Sequence, residues 1–275
     1  MERKKRVQIK EFDEISAREM GDDSKNESSE IYKLNVSRCM DLADIVIKNN
    51  GNLDEMFGRI LRYFTLILEP GCIKPNHEET LMHLAYSLSI RSNCVSRQVG
   101  AVITNKEGYI IGAGWNDVGE GQISCGLKTS DDYKNIEYLK CDNLNFDSLH
   151  AESYVCFKDI PTPSENGKSD RCLALHAEEN AILQLAKYHS GIPQDAVIYS
   201  TTFPCSSCLK KISQVGINKI IYIQTYSNPI SIQILEVTTR TIKIFSFEGV
   251  KYYSYFKLFK PYYDRKEQQK ILEYS

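Results

Sequence analysis

Between His176 and Phe247 the apolar residues switch repeatedly between a helical period and a strand period, and this alternation constrains the fold more than any other feature. His176–Lys187 has helical spacing, Val197–Ser200 reads as a strand, Ser206–Val215 as a helix and Lys219–Ile223 as a strand. Pro229–Val237 is again helical and Thr241–Phe247 again a strand. Strands alternating with helices predict an α/β layered sheet with helices on its faces. Upstream, Val99 to Ile103 reads as a buried strand, and Tyr109–Trp115 as its hairpin partner across Asn105-Lys106-Glu107-Gly108. A helix over His77–Ile90 places Leu81, Leu84, Ala85 and Leu88 along one side.

The rest of the chain is less regular. Gly21–Glu30 has no apolar residue and is expected to be a mobile loop. Ile31–Leu68 has helical spacing, with Leu61, Phe64, Thr65 and Leu68 on one face and a break at Asn49-Asn50-Gly51. Pro70-Gly71 and Pro75 end this part, which predicts a mostly helical N-terminal segment over 1–75 and a larger unit over 76–275. Asp117–Arg171 has no clear period and carries breaks at Pro161, Pro163 and Gly167; so long a stretch inside a domain is functional or disordered.

Charge and composition narrow the classes. The 275 residues carry a formal net charge of -2, which gives no field for a nucleic-acid backbone. No apolar run approaches the roughly 20 residues of a membrane span. Met1–Arg6 is basic but no apolar stretch follows it, so it is not a secretory signal. Nine cysteines at irregular spacing fit metal binding or core packing in a reducing compartment, and the expected location is cytoplasmic.

Two short pieces carry chemistry. His176-Ala177-Glu178 opens one helix and Pro204-Cys205-Ser206-Ser207-Cys208 opens the next, with a strand between them. One imidazole and two thiolates make three zinc ligands, which leaves a fourth tetrahedral position for water. Cysteines at a helix N-terminus ionise more easily, because exposed N–H groups and the helix dipole favour thiolate. Glu178 stands two residues from a ligand, so its carboxylate can reach that water without binding metal. This arrangement, H-x-E with P-C-x-x-C, is the signature of zinc nucleobase deaminases. It assigns His176, Cys205 and Cys208 to Zn2+ and Glu178 to the proton transfers: from water, to ring N3 of cytosine, and to the amine leaving C4.

From His77 to Val250 the chain resembles the deoxycytidylate deaminases of the cytidine deaminase superfamily. The resemblance runs in order through Cys94–Ile103, Gly112–Asn116, His176–Ile182, Thr201–Cys208 and Gly216–Tyr222. It implies a three-layer α/β/α fold with a mixed five-stranded sheet. It also implies deamination of dCMP or dCTP, a homo-oligomer, and nucleotide effectors such as dCTP and dTTP. More closely, Ala43–Ile47, Ser96–Gly100, Gly114–Asp117 and Leu258–Glu267 resemble the deaminase half of bacterial anti-phage dCTP/dCMP deaminases. A P-loop kinase-like domain usually precedes that half. No G-x-x-x-x-G-K-[ST] occurs here, so the first 70 or so residues are expected to be the end of such a domain or a remnant of it.

Further site residues follow. Asn116, after a strand, is expected to hold the sugar 3′-hydroxyl, and Arg97 with Ser96 to meet phosphate. Ala177, Thr202 and Phe203 are expected at the substrate. Phe203 before Pro204 matches nucleotide deaminases, where tRNA adenosine deaminases usually carry Glu. His150-Ala151-Glu152 repeats the His-x-Glu pattern without a following Cys-x-x-Cys, so it is not a second catalytic motif. His150 lies among Cys125, Cys141, Cys156 and Cys172, and some phage deoxycytidylate deaminases carry a structural zinc in this part of the chain. The rival function is a polynucleotide deaminase acting on tRNA or single-stranded DNA. It would need a basic groove with interleaved aromatics, which Lys251–Lys257 supplies only locally.

Overall fold

The computed structural model describes residues 39–40, 42–129, 131–132, 154, 156–159, 172–188, 191–225, 229–237 and 241–260. A mixed five-stranded sheet forms the middle layer, in the order β3-β2-β6-β7-β8. Its strands are β2 (Gly100–Thr104), β3 (Ile110–Trp115), β6 (Val197–Thr202), β7 (Lys219–Gln224) and β8 (Lys243–Ser246). β2 runs antiparallel to both β3 and β6, and β6, β7 and β8 run parallel. This is the sheet expected from the sequence.

Alternation along each strand sends side chains to two cores. Ala101, Ile103, Ile198 and Ile220 face α3 (Ala177–Lys187) and α4 (Ser206–Gln214), while Val102, Tyr199 and Ile221 face α2 (His77–Ser89). A last helix on the sheet, α5 (Pro229–Val237), sits beside α4. α3 lies close on β3 because Gly114 has no Cβ: one built there would run into the Ala177 carbonyl and the Ala181 backbone. Asn180 donates to the Trp115 carbonyl at 2.7 Å, and Lys211 on α4 bonds Glu179 on α3 at 2.6 Å. Glycine, amide and ion pair together fix the start of α3, where His176 and Glu178 stand.

The described N-terminal part is mostly helical, as expected, with one short strand added. Ile45–Val46 is a short strand, β1, paired antiparallel with β9 (Gly249–Val250). After the Asn49–Gly51 break, α1 (Leu53–Leu68) begins at Asn52, whose side chain accepts from the Glu55 N–H. α1 buries Tyr63 and Leu66 against Val250 and against Tyr255 and Phe259, at and after α6 (Tyr252–Leu258). The face expected from Leu61, Phe64 and Leu68 points to solvent instead, since the packed stripe is rotated toward Tyr63 and Leu66. Two short pieces complete the described fold: β4 (Asp117–Val118) pairs with β5 (Ala174–Leu175), which brings the end of the 117–171 stretch back to the site. The expected loop at Gly21–Glu30 lies outside the described residues.

Glu79 ties α1, α2 and β9 together. Fully buried, its carboxylate takes Arg62 at 2.7 and 3.1 Å, the Asn76 N–H at 2.8 Å and the Val250 N–H at 3.0 Å. Glu79→Ala should therefore cost about 3 kcal/mol, the lower end for a broken buried pair because Arg62 keeps some water contact. Urea unfolding of the two proteins measures it; a loss of unfolding free energy under a third of that value would mean water replaces the carboxylate.

Candidate active site

Two helix N-termini meet at the carboxyl end of β6. His176 is the N-cap of α3 and Cys205 the N-cap of α4, and neither spends its side chain on capping. Each has extended backbone, so its side chain turns away from its own helix. His176 Nδ1 lies 3.3 Å from Cys205 Sγ and 3.3 Å from Cys208 Sγ. Their ligand atoms fall within 4.8 Å of one another, and among the described residues no other His, Cys, Asp and Glu set does so.

The electrostatics favour anionic sulfur. The hydrogen bond from the Cys208 thiol, with the His176 ring beside it, holds Cys205 at about 3 against the cost of burial. Cys208 is pushed upward by the same contact and by burial, since two adjacent thiols cannot both ionise unaided. His176 is raised to about 10, first by its hydrogen bond with Cys172 and then by Cys205. One imidazole nitrogen and two sulfurs at this spacing, with helix dipoles behind both cysteines, fit Zn2+ and match its preferred soft and borderline donors.

Glu178 is buried on the same cavity, and Ser200 Oγ on β6 donates to its Oε1 at 3.1 Å. Burial raises its carboxyl above the usual range, partly offset by the Ser200 bond and by His176. The cavity has a volume of about 260 Å³. His176, Ala177, Glu178 and Cys205 form one wall, and Ser96, Arg97, Asn116, Thr202 and Phe203 contribute the others. Every expected substrate-contact residue thus lines one space with the ligand group. A shallower depression of about 860 Å³ near Asn105 and Asp195 contains none of these groups.

Asn116 is more committed than its sequence position implied. Its Oδ1 accepts from the Val99 N–H and its Nδ2 donates to the Arg97 carbonyl, both at 2.7 Å. The Ser92 hydroxyl donates to its backbone carbonyl at 2.6 Å. Asn116 therefore pins the 92–99 loop that carries Ser96 and Arg97. Phe203 packs edge-on against Tyr222, with ring centroids 5.0 Å apart, which sets its ring at the cavity wall.

Cys94, Lys158, Cys172 and Ala174 also line the cavity, and Ser200 supports Glu178; sequence reasoning assigned none of them to this site. Lys158 falls in the aperiodic 117–171 stretch, where nothing in the sequence marks it. Cys172, grouped by sequence with a second metal site, hydrogen-bonds His176 instead. Cys125 is buried, and Cys125, Cys156 and Cys172 form no ligand group within 4.8 Å among the described residues. His150 and Cys141 lie outside the described residues.

Residues 75–224 match the profile of the cytidine and deoxycytidylate deaminase zinc-binding region. The chain belongs to that family. Deoxycytidylate deaminase of Schizosaccharomyces pombe is 30% identical over 186 residues, 68% of this chain and 48% of the yeast protein. Deoxycytidylate deaminase of Enterobacteria phage T4 is 34% identical over 155 residues, 54% of this chain and 77% of the phage protein. The dCMP deaminase of cyanophage S-TIM5, solved with dCMP and dUMP, is 25% identical and covers 64% of this chain and 99% of its own, with a TM-score of 0.43. The chain spans about half the length of the two yeast relatives it matches. Within this deaminase family the ligand group and Glu178 stand on the segment that the profile describes as zinc-binding. Among the described residues no helix is long and apolar enough to cross a membrane.

Proposed function

We propose that the protein deaminates free deoxycytidine nucleotides, dCMP or dCTP, by hydrolysis at C4 of the base. The observation that carries this is the buried Glu178 carboxylate on the same small cavity as His176 and Cys205, which form the donor group with Cys208. His176, Cys205 and Cys208 would hold zinc, which would supply the Lewis acidity that makes water a nucleophile near neutral pH. Glu178 takes one proton from the attacking water and delivers it to ring N3, then takes the second from the hydroxyl now on C4 and delivers it to the amine, which leaves as ammonia as the C4 carbonyl forms. Ser200 holds one carboxylate oxygen, which leaves the other to face the substrate. Phe203 lines the same cavity and offers a ring face or edge to the pyrimidine.

The free nucleotide is favoured over a polynucleotide. About 260 Å³ is close to the lower end of small-ligand pockets, roughly 300 Å³, and the net charge of -2 offers no track for a polyanion. Asn116 retains one amide N–H for a sugar hydroxyl. The purified protein assayed against dCMP, dCTP, CMP, CTP, deoxycytidine, tRNA and single-stranded DNA tests this. A preference for either polynucleotide would overturn the substrate class.

Arg97 and Lys158 are the cations on the cavity wall and the proposed phosphate contacts. A charge-assisted bond to phosphate is worth about 1.5–3 kcal/mol. Lys158→Ala should accordingly raise KM for the nucleotide about 10- to 100-fold while leaving turnover of deoxycytidine unchanged. Equal losses on nucleotide and nucleoside would remove Lys158 from the phosphate site.

Two further readings rest on the resemblance. Consumption of dCTP in phage defence predicts a fall in the dCTP pool of infected cells that carry the active protein, while supply of thymidylate precursors through dUMP predicts no such fall. A structural zinc through His150, Cys125, Cys141, Cys156 and Cys172 predicts two zinc atoms per chain by metal analysis.

A further inference from the structure

Among the described residues, a long run of exposed apolar side chains lies on α1, ahead of the residues that match the family. Seven side chains form it: Leu53, Phe57, Ile60, Leu61, Phe64, Ile67 and Leu68, between 44% and 87% exposed. At 100° per residue all seven fall within a stripe about 120° wide. The helix therefore has two apolar faces. One, through Tyr63 and Leu66, packs on α6 and β9. The other has no packing role among the described residues. At about 150–250 Å² for a large side chain, these exposures leave on the order of 700–800 Å² of apolar surface uncovered. Monomers rarely expose more than a few hundred Å² in one patch.

The order of side chains along the stripe identifies what covers it. About a point between residues 60 and 61, six of the seven read the same in both directions: Ile60 and Leu61, then Phe57 and Phe64, then Leu53 and Leu68, while Ile67, at the edge of the stripe, falls opposite Asp54. Such a surface is complementary to itself under a two-fold axis, the condition for an isologous contact. Residues 53, 57, 60, 64 and 67 also follow the alternating four-three spacing of a two-helix seam. Laid antiparallel, the helices set Leu53 against Leu68 of the partner subunit and Phe57 against Phe64 of the partner subunit. Ile60 then meets Leu61 of the partner subunit. A 16-residue helix gives a seam about 24 Å long. The exposed area is close to the roughly 800 Å² that each partner buries in a standard interface. Antiparallel helices also oppose their dipoles.

We propose that α1 is a dimerisation element, through which two copies of this chain associate by antiparallel pairing of the Leu53–Leu68 stripe. This does not depend on the substrate or on the metal. The pairing explains why an exposed helix carries phenylalanines at 57 and 64, positions that make no contribution to its own core.

Sedimentation velocity of the full, zinc-loaded chain at micromolar concentration tests the proposal. The wild type should sediment as a dimer or a multiple of it. A variant with Phe57→Glu and Phe64→Glu should show half that mass, as should one with Phe57→Lys and Phe64→Lys. Both should stay folded by circular dichroism and keep their zinc, because the substituted side chains are exposed. Mixing the two should restore the mass, since glutamate at each position then meets lysine across the two-fold axis. A monomeric wild type would overturn the proposal, by showing that another part of the chain or a different protein covers the stripe. So would an unchanged mass in the charged variants, or a mixture that stays dissociated.

Discussion

Glu178→Gln should lower turnover by on the order of 10²–10⁴-fold or more while leaving fold and zinc content unchanged. The lower bound is the usual contribution of one general acid-base group, and in the proposed reaction one carboxylate serves the water, ring N3 and the departing amine. The amide has the same shape, and its carbonyl oxygen can still accept from Ser200, so the wall of the cavity stays in place. It cannot take up a proton at any pH near neutrality. The structure also predicts the sign of the stability effect. Burial raises the Glu178 carboxyl, which means that the fold disfavours its ionised form. A neutral amide removes that cost, so metal-free Gln protein should be as stable as wild type or more so. Steady-state rates on dCMP, with metal analysis and thermal unfolding of the same preparations, read all three quantities. A Gln protein within tenfold of wild-type turnover would show that the proton path runs elsewhere.

The other large effect is expected at the ligand group. Cys208→Ser should take the zinc content at this site from about one atom per chain to near zero, and turnover should fall with it. A serine hydroxyl does not ionise in this range and offers zinc a hard, neutral oxygen in place of thiolate. The loss leaves two ligands, His176 and Cys205, which cannot hold the ion in a site that also needs an open position. Cys205→Ser should do the same, although Cys205 is the more exposed of the two and the more easily ionised. Cys94→Ser is the matched control, a thiol on the same cavity wall but outside the ligand group. Zinc content unchanged in either ligand variant would mean that the metal is held by other residues.

The middle of the chain was read well from sequence because its signals are local. Ser206–Gln214 and Pro229–Val237 are helices within one residue of their expected bounds, and β6 and β7 fall where apolar runs predicted them. Their periodicities reflect burial on known faces, which short windows report. β1 failed because two residues, Ile45 and Val46, are too few to show a period, and their partner is two hundred residues away at Gly249–Val250. α1 was expected as a helix, but which of its apolar faces is packed depends on where β9 and α6 lie, and no window of α1 contains that.

The donor group and the carboxylate proposed to act with it are legible in the sequence alone. His176, Glu178, Cys205 and Cys208 are set by spacing relative to two helix starts, and helix N-caps turn side chains outward by backbone geometry that the local sequence specifies. What surrounds that chemistry was decided only by tertiary structure. Cys172 reaches the cavity because β4 pairs with β5 next to it, Ser200 reaches Glu178 because β6 runs beside α3, and Lys158 lines the cavity from the short turn Phe157–Asp159. Asn116 was legible as a site residue, yet its bonds to the Arg97–Val99 backbone arise from the return of the chain through the β2–β3 hairpin. A ligand motif is encoded by neighbours in the chain, whereas a cavity wall is encoded by contacts between segments whose separation in sequence carries no periodic signal.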